Sequence, residues 1–164
     1  MPDVPVPMAN CPDNCRVTTH VPIAHVEDVD RSAGFYALLG FHCDNRFSGP
    51  DGKTNWAAMT SGAARIFFAR ASGPIDDTQQ AVLFYMYSND VMALRMHLLK
   101  SGLIDGGRFP SEPVPGDDSV AVNPLASSRK AVFRPTFPFY MPQGEIRVHD
   151  PDGYCILVGQ LEQK

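Results

Sequence analysis

Long hydrophobic runs are missing from this sequence. The longest, such as residues 81–87 (AVLFYMY), fall far short of the roughly 20 apolar residues that cross a bilayer, so no membrane span is expected. Charge of one sign is also scarce. The net charge is −4 with 20% charged residues, which argues against a nucleic-acid partner. The opening residues lack the basic and apolar regions of a secretory leader, so a cytoplasmic location is expected. Cysteines number four: Cys11, Cys15, Cys43 and Cys155. In a reducing compartment they are not expected to form disulfides. The segment CPDNC, even with His20 nearby, does not complete a zinc set, because no second cysteine pair follows. Nucleophile signatures are absent too: there is no Gly-x-Ser-x-Gly, no cysteine beside a convincing base, and no phosphate-cradling glycine loop.

What is present is enough for one compact domain. The chain has 164 residues, 44% of them hydrophobic, which is long enough to bury a core. Residues 1–16 hold four prolines and little periodicity, and read as a loose arm. Behind the arm the chain repeats itself. VPIAHVEDVDRSAGFYALLGF and LFYMYSNDVMALRMHLLKSGL each begin as a strand, continue through Asp-Val (Asp28 and Asp90), and reach a glycine (Gly40 and Gly102), all at a shared offset of 62 positions. The pattern predicts a strand, an N-capping acid, an amphipathic helix and a C-cap glycine, twice. Val29, Ala33, Tyr36 and Leu39 form the apolar face of the first helix, and Val91, Leu94 and Leu98 that of the second.

Strand material follows each helix. The first half supplies FHCDNRF, NWAAMT and ARIFFAR. The second supplies RKAVFRP or GGRFP, then EIRVH and YCILVG. Ser61-Gly62 precedes its strand much as Asp152-Gly153 in HDPDGYCILVG precedes the last one, at an offset of 91 rather than 62. The extra 29 residues fall in a Pro-, Ser- and Gly-rich stretch, about 110–138, which reads as an inserted loop with room for one short helix near Asn123 to Ser128. Asp117-Asp118 lies within it and reads as a solvated turn. Module one is expected over about 17–71 and module two over about 81–161.

Two βαβββ units, the run Asp-x-Asp-x-Ser-x-x-Phe-Tyr-x-x-Leu-Gly-Phe from Asp28 to Phe41, and DPDG at the last hairpin together carry a resemblance. The sequence resembles the glyoxalase / bleomycin-resistance / extradiol-dioxygenase superfamily, also called vicinal oxygen chelate, over roughly Val17 to Leu161. The resemblance implies an α+β fold in which two tandem βαβββ modules form curved mixed sheets around a cleft, with the helices outside. In metal-dependent members four strand positions converge on one ion. Carried over by position, these are Val21, Ile66, Leu83 and Leu157, all aliphatic and without a lone pair for a cation. Neither a metal nor a cofactor is therefore expected. A one-residue slip to His20 points to the opposite face or the strand end.

Alternation places Val21, Ile23 and His25 on one strand face, Leu83, Tyr85 and Tyr87 on another, Ile66 with Phe68, and Leu157 with Cys155. Trp56, the sole tryptophan, stands on the strand before Ile66. The candidate ligand-binding residues are His25, Trp56, Phe68, Tyr85, Tyr87 and Arg147, with aromatic rings to stack on a flat ligand and polar tips to orient it. Each has an alternative: strand aromatics are commonly core, His25 can be a satisfied structural histidine, and Arg147 and His149 can be solvated strand charges. The resemblance implies a metal-free, bleomycin-resistance-like protein that sequesters an aromatic or amphipathic small molecule, as a homodimer. The alternative is a metal-independent isomerase or lyase that uses His25 or a tyrosine as acid/base.

Overall fold

A computed structural model describes residues 11, 12, 14, 16–109 and 130–162. The Pro-rich start, Asp117-Asp118 and the short helix expected near Asn123 to Ser128 lie outside the described residues, except for the few arm positions named. The element order is β1 (Ile23–Val26), α1 (Val29–Ala37), β2 (His42–Ser48), β3 (Thr54–Ser61), β4 (Ala64–Arg70), β5 (Leu83–Ser88), α2 (Val91–Lys100), β6 (Ile104–Gly107), β7 (Ala131–Phe133), β8 (Glu145–His149) and β9 (Cys155–Gln160). The fold is α+β, with two mixed sheets of four and five strands, ordered β1-β4-β3-β2 and β5-β9-β8-β7-β6.

The repeat is built as the local signals dictate. Asp28 and Asp90 sit in extended backbone, and their carboxylates accept from the N–H groups of Arg31 and Ala93, each at 2.9 Å. Both helices are stopped by glycines in the left-handed region, Gly40 at φ 92° and Gly102 at φ 94°, a conformation costly for any side chain. Each first strand then pairs in parallel with the last strand of its own module, β1 with β4 and β5 with β9.

Module two departs from the expected pattern. GGRFP and RKAVFRP were alternatives for one strand, yet both regions contribute: β6 and β7 pair in parallel, and β7 takes the antiparallel place beside β8. The fifth strand, β6, is the sheet edge. The inserted loop is correspondingly shorter than 110–138, since β7 and the Thr136–Glu145 bridge fall inside that range.

The register of β4 corrects the sequence reading by one residue. Ile23 stands opposite Phe67, and Tyr85 opposite Leu157. Phe67 is five residues past Gly62, whereas Leu157 is four past Gly153. Residue Ile66 therefore turns to the helix side, and Phe67 takes its place on the open face. The same parity moves Phe68, expected in the cleft, into the core. It is fully buried beside Ala24 and Val26, with its ring 4.7 Å from that of Tyr36.

Among the described residues, each sheet has a helix on one face. Helix α1 places Val29, Phe35 and Tyr36 over Ala57, Met59, Ile66 and Phe68, while α2 places Val91 and Leu98 over the second sheet, and one continuous core joins the two. The halves are also fastened by polar contacts. Asp150 accepts from the Tyr36 hydroxyl at 3.1 Å and from the N–H groups of Asp152 and Tyr154. Asp152 accepts from the Glu27 N–H at 2.9 Å, and from Ser32 Oγ and Arg31 Nη2 at 3.1 Å each. The Asp30, Ser32 and Tyr36 positions of the signature and the DPDG turn thus answer different needs. Ser32 and Tyr36 meet the turn, while Asp30 accepts from Thr54 Oγ1 within module one.

Candidate ligand-binding groove

Where the modules meet, the uncovered side of β5 faces the β3–β4 hairpin and the chain leading into β1. The gap is a groove of about 910 Å³, in the size range of small-molecule sites, roughly 300–1,000 Å³. Tyr85 and Tyr87 of β5 line it, together with His20, Ser61, Ala63 and Arg65. Phe41 and Ile66, both buried, also line it and give it an apolar floor. The two tyrosine rings lie 5.4 Å apart at 58° and remain open to solvent, at 42% and 60% exposure.

Beneath Tyr85 sits an acid that the sequence reading left out. Glu145 is only 3% exposed, and its Oε2 accepts from the Tyr85 hydroxyl at 2.5 Å. Burial and this carboxylate raise the phenol's pKa well above its ordinary value, so Tyr85 keeps its proton. Gly159 makes the approach possible: a Cβ there would meet Tyr85 Oη and Met141 Cε, each at 2.9 Å. The signal was available in the alternation, because Glu145 shares a strand face with Arg147.

The remaining candidates are dispersed. His25 and Trp56 lie on the uncovered face of the first sheet, where His25 is exposed and Trp56 packs against Phe67 with ring centroids 5.0 Å apart. Neither lines the groove. Arg147 lies on the uncovered face of the second sheet, its guanidinium 4.1 Å above the Phe109 ring. There Nε is buried without a hydrogen-bond partner. Burial, and then the charge of Arg147, depress the His149 pKa, while burial raises that of the Cys155 thiol. Of the six expected residues, the groove gathers Tyr85 and Tyr87.

Of the four positions that the resemblance implied for a metal, Val21, Ile66, Leu83 and Leu157, Ile66 is buried in the core, and Phe67 stands beside it on the open face. Among the described residues, no three His, Cys, Asp or Glu side chains lie close enough to share an ion.

No family model and no curated protein matches this chain. Solved structures do match. A bleomycin-binding protein complexed with bleomycin aligns at 18% identity and TM-score 0.60, covering 89% of this chain and all of that one. The chain has the fold of the bleomycin-binding proteins. A bleomycin resistance determinant encoded on the transposon Tn5 aligns at TM-score 0.61 and 18% identity, over 90% of this chain and all of the other. TnmS3, an antibiotic-binding protein from Streptomyces sp. CB03234, aligns at TM-score 0.56 and 18% identity with the same coverage. Among the described residues of this chain, no helix is long and apolar enough to cross a membrane.

Proposed function

We propose that this protein binds a planar aromatic or amphipathic small molecule in the groove, without a metal, and acts by sequestration rather than by chemistry. The observation that carries the reading is the groove itself: a drug-sized cavity walled by two adjacent, solvent-open tyrosines over an apolar floor. Its relatives in fold include proteins solved with bleomycin and named for antibiotic binding, which supports a binding role. Tyr85 holds its proton more tightly than an ordinary phenol, and His25 lies elsewhere, so the isomerase or lyase alternative gains no support.

The reading includes a two-fold homodimer. Ile23 and Phe47 on the first sheet, and Leu83 on the second, are large apolar residues more than half exposed. A partner covering these faces would remove apolar area from water. Isothermal titration with planar aromatic compounds tests the function. Binding that Tyr87→Ala weakens supports it, and the absence of any binder across a panel of antibiotics and aromatic metabolites overturns it.

A further inference from the structure

The charges around the groove carry information about the ligand. We propose that the groove selects planar ligands bearing a carboxylate, with Arg65 as the residue that reads the charge. The proposal rests on the small-molecule reading above.

Arg65 is exposed on β4, opposite Thr60, and lines the same groove as the two tyrosines. Among the described residues that line this cavity there is no carboxylate, and Arg65 is the one formal charge, with His20 also in the lining. Among the described residues, Arg65 takes part in no ion pair, while Arg31, Arg46, Arg70 and Arg95 each have an acidic partner. The acids nearest the groove have partners of their own: Asp44 accepts from Thr60, the residue opposite Arg65, and lies 2.9 Å from His42 Nε2. Glu145 lies buried behind Tyr85 and accepts a hydrogen bond from its hydroxyl. Asp90, next to the lining residue Asn89, turns away to cap α2. The chain is acidic overall, but at physiological salt a charge is screened beyond about 8 Å, so the local cation decides.

The geometry suits a flat anion. A ring held against Tyr85 and Tyr87 shares the groove with a guanidinium, whose paired N–H donors match a carboxylate, and the Ser61 hydroxyl in the same lining supplies a further donor.

Three probes with one planar body separate charge from shape: 2-naphthoate, 2-naphthamide and 2-naphthylmethylammonium, each titrated calorimetrically into the full chain. The expected order is naphthoate tightest, by about tenfold over the amide, as a charge-assisted contact at a partly exposed site warrants. Arg65→Gln should erase the naphthoate preference and leave the amide unchanged. Arg65→Glu should invert it in favour of the ammonium. Because Arg65 is exposed, both variants are expected to fold, and thermal melting checks that they do. Equal binding of naphthoate and amide, a wild-type preference for the ammonium, or an order unmoved by Arg65→Gln overturns the proposal. In those three cases binding that Tyr87→Ala still weakens keeps the small-molecule reading standing. Binding of none of the three probes overturns the carboxylate proposal, and failure of the wider panel as well overturns the function.

Discussion

The two modules end in hairpins that the repeat makes equivalent and the fold uses in opposite ways. In module one the β3–β4 turn is tight, with Ser61 paired directly to Ala64, and Ser61, Ala63 and Ala64 face the groove. In module two the turn runs from Asp150 to Tyr154 and is sunk against α1, with Asp150 and Asp152 at 1% exposure or less. One hairpin is open at the groove, where a ligand is proposed to bind, and the other is committed to holding the halves together. Duplication supplies two copies of a unit, and the difference between their turns divides stability from binding.

Breaking the buried turn should have the largest effect. Asp152→Ala removes the acceptor shared by Ser32, Arg31 and the Glu27 N–H, leaving buried donors unpaired. The expected loss is about 3–5 kcal/mol by urea unfolding. At the open turn, Gly62→Ala meets nothing within 4 Å and strains only the φ of +57°, so about 1 kcal/mol is expected there. Similar losses at both turns would dissolve the contrast.

The next effect is smaller and depends on pH. Burial raises the Asp150 carboxyl to about 6, against backbone N–H bonds that pull it down. In the unfolded chain an aspartate titrates near 3.9. The folded state therefore binds the proton more tightly, so this contribution is fully present below about pH 4 and is lost as pH rises through about 6. Over that window the change is about 3 kcal/mol, on the scale of 1.36 kcal/mol per pKa unit. His149 has the opposite sign, since its depressed pKa costs stability as pH falls. The measurement is therefore a difference: the stability of wild type minus that of Asp150→Asn should shrink by this amount between pH 4 and pH 7. A difference that stays flat across the range would show that Asp150 is charged throughout.

How far the sequence reached follows the same division between local and distant causes. The helix caps, the C-cap glycines and the offset of 62 were legible because each depends on a few neighbouring residues. The DPDG turn was legible as a turn, but its partners Tyr36 and Ser32 lie 114 and 120 positions away and nothing local points to them. The placement of Phe68 failed for a related reason. Counting from Gly62 assumed that both hairpins reach their parallel partner at the same step, and where β1 meets β4 is settled by packing under α1. Within the site, Tyr85 and Tyr87 followed from strand alternation alone. Glu145 and Arg65 became visible once cross-strand pairing and the junction between modules were known.

At the open side, Tyr87→Ala removes the more exposed of the two ring walls and should weaken a planar ligand about tenfold, since a stacked contact and its buried area together reach roughly 1.4 kcal/mol. A loss below twofold would place the ligand elsewhere.

The smallest expected effect is the most discriminating. Trp56 packs on Phe67, outside the groove of its own chain, so Trp56→Ala should leave ligand affinity within about twofold if each chain binds alone. The proposed homodimer changes that expectation only if the uncovered face of one chain's first sheet closes over the second sheet of its partner, which would bring Trp56 and His25 to the tyrosines. Titrating wild type and Trp56→Ala at protein concentrations above and below dimer dissociation, located by light scattering, separates the cases. A Trp56 effect that appears only in the dimer assigns the site to two chains. No effect at either concentration confines it to the groove between the modules of one.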